Sequence, residues 1–312
     1  MALSILNYGK TRTAKTSQAK FIAEYVWKRW QKKTRFVTTD TGSLWEPIQS
    51  MVDVGLIQPL FVPTDPSYDP LSLLRKLRRG AWPEGYTTDG FCLKTKGGNK
   101  WLEWGAQKDS AEIGAYVFES LSSMGAGSMR DLAEKNITVG TQSVPGYRTE
   151  NGEVFGQNTE NHYGMIITEM SALLSAFTTL PVEIVYITAW DEVVEPRDKD
   201  LQKVYKLGPL LPGRKLVDSV PGSVNILIHS MIAGDQIRCY VKPHPWEVLN
   251  KYSWPAGLRF EASPAVLKKI DEKWPEGYFV PSRDKGIGEI LEFRDQMREF
   301  AKGEAQKLLQ KV

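Results

Sequence analysis

Ser4-Ile5-Leu6-Asn7-Tyr8-Gly9-Lys10-Thr11-Arg12-Thr13-Ala14-Lys15-Thr16-Ser17 is the stretch on which the rest of the chain turns. Ser4 to Tyr8 reads as a short apolar strand. Beyond the loop, Ala19, Ile22, Ala23, Val26, Trp27 and Trp30 recur at spacings of three and four, which predicts a helix with one apolar face. Strand, loop and helix in that order form the setting of the pattern G-x-x-x-x-G-K-[ST]. There, backbone N–H groups wrap a phosphate chain, the lysine reaches the outer phosphates and the hydroxyl binds Mg²⁺. The helix N-terminus adds partial positive charge. The candidate binding residues are Gly9, Lys10, Thr11, Arg12, Thr13, Ala14, Lys15, Thr16 and Ser17. Ala14 stands where the second glycine belongs, and its Cβ narrows the conformations open to the backbone. An ordinary basic turn before a helix accounts for the same residues without chemistry.

At 312 residues the chain can bury a large core, most simply as one α/β domain with attachments. Lys10 and Arg12 interrupt the first apolar stretch, so no secretory signal is expected, and no apolar run approaches membrane-spanning length. Cys92 and Cys239 form no metal-spacing motif, which points to a reducing, cytoplasmic setting. A net charge of +3 does not by itself imply a nucleic-acid partner. The charge is uneven, however: nine cations from Lys10 to Arg35 face only Glu24. Part of that cluster belongs to the loop, and the rest reads equally well as a solvated helix face.

Further along, Thr34 to Thr39 is a β-rich run ending at Asp40-Thr41-Gly42. Ligands of open α/β sheets sit beyond the carboxyl ends of the strands, which makes Asp40 a candidate to orient water or touch Mg²⁺. A plain Asp-Thr-Gly turn explains it as well. Ala115 to Phe118 is apolar and ends in Glu119, the form of a buried strand delivering a carboxylate to a phosphate site, the Walker B arrangement. Val182 to Ala189 is a second core-strand candidate, ending in Thr188, Trp190, Asp191 and Glu192. Thr188 suits a sensor of the terminal phosphate, whereas Asp191 and Glu192 read as solvated acids.

Four other stretches leave their alternatives open. Residues 91–104 suggest a hairpin whose lysines and tryptophans either stack on bases or bury against the core. Residues 125–163 form a long polar stretch with a short helix over Met129–Lys135, and Arg130, Lys135, Tyr147 and Arg148 could meet a phosphate backbone or a neighbouring subunit. Arg214 and Lys215 follow a Pro-Gly turn and could reach a phosphate, although a surface turn fits too. Val224–Ile232 and Gln236–Val241 predict a β-hairpin, and Pro264–Lys273 and Gly288–Lys311 predict two helices. His229 reads as packed in a strand and His244 as a rigid-loop residue, so no Ser-His-Asp or metal-ligand set emerges.

Taken in order, Ile5–Thr16, Tyr116–Ser122, Val182–Glu192 with its Thr-Ala-x-x-Glu ending, and Gly208–Pro221 with Pro-Leu-Leu-Pro-Gly-Arg-Lys resemble the phage RecA-like P-loop ATPases, including the Sak-type single-strand annealing and recombination proteins. Leu77–Pro83 resembles the stretch before that family's acidic strand, and the resemblance spans roughly residues 3–262. It implies a RecA-like α/β core over 1–262 with an insertion at about 84–110, a helical tail over 263–312, and ATP and Mg²⁺ as ligands. It also implies single-stranded DNA as a partner, self-assembly, possible contact with a single-strand-binding protein, and the host cytoplasm as location. Lys15 would hold the β- and γ-phosphates, Thr16 and Glu119 the metal, and Thr188 would act as sensor, with Asp40 as the acid after the second strand. The chain departs from the family at Ala14, at Glu119 in place of aspartate, and at Trp190 in place of histidine. Those departures leave open a nucleotide-binding adaptor with little or no hydrolysis. A duplex-DNA translocating or packaging ATPase is the other alternative.

Overall fold

A computed structural model describes residues 2–38, 46–61, 82–83, 101–102, 111–134, 146–148, 154–156, 160–178, 180–195, 205–212, 214–259, 263–282 and 284–309. Asp40, most of the insertion and most of the polar stretch after residue 134 lie outside these residues; Trp101–Leu102 pairs antiparallel with Trp82–Pro83.

Runs of buried residues build the central sheet. Its strands are β1 (Leu3–Gly9), β2 (Lys33–Thr38), β3 (Ile57–Phe61), β4 (Ile113–Glu119), β5 (Ile184–Ala189), β6 (Ile226–Ala233), β7 (Gln236–Tyr240) and β8 (Tyr278–Phe279). They lie in the order β8-β7-β6-β1-β5-β4-β2-β3, and Gly257–Leu258 pairs with β6. Pairings from β6 through β1, β5, β4 and β2 to β3 are all parallel, while β6–β7 and β7–β8 are antiparallel. β1, β4 and β5 are buried along their whole length, as expected for parallel strands covered on both faces. The fold class read from the sequence, α/β around a mostly parallel central sheet, is the one observed.

Helices cover both faces. On one side lie α1 (Gln18–Trp30), the short α2 (Gln49–Asp53), and the later helices α6 (Pro264–Lys273) and α7 (Gly288–Leu309). On the other lie α3 (Leu121–Glu134), α4 (Glu160–Thr178) and α5 (Arg214–Ser219). Leu3 and Ile5 of β1 face the α1 side, while Leu6 and Tyr8 face the α3 side, which is the period of two that a strand imposes. In α1, Ala19, Ile22, Ala23 and Val26 are buried, whereas Trp27 and Trp30 stay over a third exposed at the rim of the stripe.

The stripe of α7 packs on the core. Ile290, Leu291 and Met297 share a buried cluster with α1. Much of the N-terminal charge is paired there as well. Lys28 lies 3.8 Å from Glu292, Arg29 3.3 Å from Asp295, and Lys32 2.6 Å from Glu183. These pairs are worth little stability each, yet they tie up cations that the sequence alone left available to a nucleic acid.

Candidate nucleotide site

The parallel strands all point their carboxyl ends the same way, and the loop Gly9–Ser17 sits at that end of β1. Gly9 is required there. A Cβ on it would lie 1.9 Å from the Ser230 carbonyl oxygen of the neighbouring strand. After Gly9 the chain curls back on itself, with Arg12 and Ala14 in the left-handed region at φ of 64° and 58°. Ala14 thus occupies the glycine position in the conformation that favours glycine. An Ala14→Gly variant is expected to gain about 0.5–1 kcal/mol, relief of left-handed strain outweighing the flexibility glycine adds to the unfolded chain. Denaturant titration with unchanged nucleotide affinity is the check.

The loop closes around Lys15. Its ammonium donates to the carbonyls of Gly9 (2.7 Å) and Lys10 (2.5 Å) and to Thr13 Oγ1 (3.1 Å), and the residue is buried. Thr13 Oγ1 in turn donates to the Lys10 carbonyl. A buried positive charge held on three oxygens fixes the loop's shape around a cation. Lys10, Thr11 and Arg12 are exposed at the turn, while Thr16 and Ser17 are half-buried where α1 begins.

Strand parity brings the remaining groups in. Asn7 of β1, Glu119 of β4 and Thr188 of β5 occupy positions alternating with residues of the α3-side cluster, so they face α1 and the loop. β5 lies between β1 and β4, Asn7 pairs with Thr188, and Phe118 pairs with Ile187, which sets Glu119 beside Thr188. Thr16 Oγ1 donates a short hydrogen bond to Glu119 Oε1, joining the loop to the acidic strand. The Thr188 hydroxyl is buried and has no hydrogen-bond partner among the described residues, a costly state for a polar group that no ligand meets. Under the loop, Asn7 Nδ2 donates to the Tyr186 hydroxyl, which donates to the Lys15 carbonyl, and Ser230 Oγ donates to Asn7 Oδ1. Burial pushes the Tyr186 hydroxyl well above its ordinary pKa, which keeps it a neutral donor.

Lys15, Thr16, Glu119 and Thr188 are therefore brought together, in an arrangement able to surround a phosphate chain. Thr16 and Glu119 present a hydroxyl and a carboxylate, the hard oxygen donors that suit Mg²⁺. Asp40 falls outside the described residues, and so do the side chains of Arg214 and Lys215.

No protein-family profile matches the chain, and no curated protein matches its sequence. Solved structures do resemble it. The flagellar accessory protein FlaH from Methanocaldococcus jannaschii is 13% identical over 76% of this chain and 76% of its own, with a TM-score of 0.33. A KaiC-like protein from Pyrococcus horikoshii OT3 is 12% identical over 90% of this chain and 89% of its own, with a TM-score of 0.39. The strand order, rather than these distant likenesses, defines the fold here.

The structure corrects one further reading. Asp191 is not a solvated loop acid: it opens a short strand, Asp191–Val194, paired antiparallel with Lys206–Pro209. Its Oδ2 lies 3.5 Å from His229 Nε2, and His229 Nδ1 lies 2.8 Å from His244 Nε2. No spacing in the sequence announces this carboxylate–imidazole–imidazole array, because its members come from three separate segments. Trp190, at the position noted above as a departure, donates its backbone N–H to Ser122 Oγ, and that hydroxyl donates to the Leu210 carbonyl.

Proposed function

We propose that this chain binds ATP with Mg²⁺ at the Gly9–Ser17 loop, hydrolyses it, and couples that turnover to single-stranded DNA in phage recombination, repair or replication. The observation that carries the nucleotide reading is the meeting of Lys15, Thr16, Glu119 and Thr188 at the carboxyl ends of β1, β4 and β5. Lys15 and the loop N–H groups bind the outer phosphates, Thr16 and Glu119 hold the metal, and Thr188 donates to the terminal phosphate. The metal, when bound, spreads the charge that develops on the phosphate oxygens. Asp40 is proposed as the acid that orients the attacking water. The DNA partner, self-assembly and contact with a single-strand-binding protein are supported by the resemblance of the four ordered segments alone.

Two observations favour a second reading, in which nucleotide is a structural ligand. Glu119 already accepts the Thr16 hydroxyl, and Ala14 holds the turn in left-handed backbone. Steady-state ATP turnover measured with no DNA, single strands and duplex separates the possibilities. Stimulation by single strands supports the proposed role. Stimulation by duplex alone transfers the activity to a translocating or packaging task, and bound ATP without turnover on any DNA supports the structural ligand.

A further inference from the structure

His229 lies on β6 directly opposite Tyr8, one residue before the Ser230 that braces Gly9. Its ring packs against Tyr8 at 4.7 Å and Trp254 at 4.4 Å, and it is 1% exposed. His244 is held against Tyr240 at 3.6 Å. The array walls a cavity of about 700 Å³ that also reaches Lys10 of the loop.

If His229 donates to His244, its Nε2 lone pair faces the Asp191 carboxylate, acceptor against acceptor. If His229 instead points its hydrogen toward Asp191, His244 must donate to His229. One added proton meets both demands at once: a His229 imidazolium points one N–H at Asp191 and donates the other to His244.

We propose that Asp191, His229 and His244 form a proton-binding relay that takes up one proton from solvent when nucleotide fills the phosphate loop. The proposal rests on the nucleotide reading above. In the empty protein, burial holds His229 below its ordinary pKa; Asp191 opposes this, and the charges of Lys15 and Lys10 add to the depression. His244 is pushed down to about 4 by burial and then by His229. The other groups facing the pair are Tyr8, which burial and Asp191 keep neutral, and Tyr240, with Glu247, Glu276 and Tyr278 around the cavity. A polyphosphate on the loop cancels Lys10 and Lys15, so the folded-state pKa of His229 rises on binding. Proton uptake then occurs at pH values between the empty and the filled pKa. By linkage, nucleotide affinity tightens as pH falls through that window, by up to about tenfold per pH unit.

Calorimetric titration of the whole chain with ADP, near pH 6.5 in buffers of different ionisation enthalpy, tests this. Wild type is expected to take up about half a proton or more per nucleotide relative to His229→Gln, with Asp191→Asn showing a similar loss. Binding in wild type with no such difference overturns the relay and leaves the nucleotide reading standing. Failure of any nucleotide to bind overturns both. If the variants do not fold, histidine NMR of wild type with and without ADP decides the matter: a His229 titration that moves to higher pH on binding supports the relay, and an unmoved one refutes it.

Discussion

Lys15→Ala is expected to abolish nucleotide binding, with an affinity loss of at least about 100-fold and no measurable turnover. Two physical effects add here. The variant removes the buried cation at the centre of the loop, which a phosphate chain would otherwise meet in a water-poor site where charge–charge attraction is strong. It also takes the Lys15 Nζ donor from the Gly9 carbonyl, and leaves the Lys10 carbonyl and the Thr13 hydroxyl with their bond to each other alone of the bonds that hold this loop. Removing their shared donor frees a loop that already holds Arg12 and Ala14 in left-handed backbone. Some stability is lost too, about 1–3 kcal/mol for buried acceptors left unmet. Titration calorimetry beside a denaturation curve separates the lost affinity from the lost stability. A fluorescent nucleotide analogue that binds Lys15→Ala as tightly as wild type would contradict the role assigned to this lysine.

Glu119→Gln separates binding from chemistry. The amide keeps an oxygen to accept from Thr16, and the change is nearly isosteric in a buried place, so the fold and the loop are expected to stay intact. What disappears is the negative charge at the end of β4. Turnover is expected to fall by about 10²–10³-fold, the usual loss when a group that stabilises transition-state charge is removed. Nucleotide affinity in the absence of metal is expected to change by less than about threefold, and its Mg²⁺ dependence to weaken. Single-turnover hydrolysis with metal titration is the measurement. Equal loss of binding and turnover would place Glu119 in the scaffold of the loop instead.

The order strand, loop, helix was legible because its signals are local. The short apolar run Ser4–Tyr8, the spacing in α1, and the lysine and hydroxyl between them all lie within thirty residues. β4 and β5 were legible as apolar runs, whereas the shared face of Glu119 and Thr188 follows from the register in which the two strands pair. The ends of elements were less so. The helix predicted to begin at Met129 begins at Leu121, since Leu121 and Met124 pack into the core while Gly125 and Gly127 weaken the pattern that would announce them. Gly125 sits so close to Pro212 that a Cβ would meet it at 2.6 Å, which is a reason for a glycine that helix propensity cannot supply.

What the sequence concealed is non-local. The pairing of Lys28 and Arg29 with acids of α7 requires the C-terminal helix to return onto α1. Gln18 shows how close that return comes to the loop: its Oε1 accepts the Ile287 N–H, while its Nε2 donates to the Ala14 carbonyl. The Asp191–His229–His244 array likewise needs the strand Asp191–Val194, β6 and the 243–245 segment to meet before it exists. Taken alone, His229 reads as packing and His244 as a rigid-loop residue, and for His229 that reading is correct but incomplete.

ATP hydrolysis by the purified chain, measured with Mg²⁺ and with EDTA, with and without single-stranded DNA, tests the central claim most directly. The account predicts Mg²⁺-dependent turnover that rises when single strands are added. A chain that neither binds nor hydrolyses ATP at millimolar concentration would contradict it, and would return Gly9–Ser17 to a basic turn at the head of a helix.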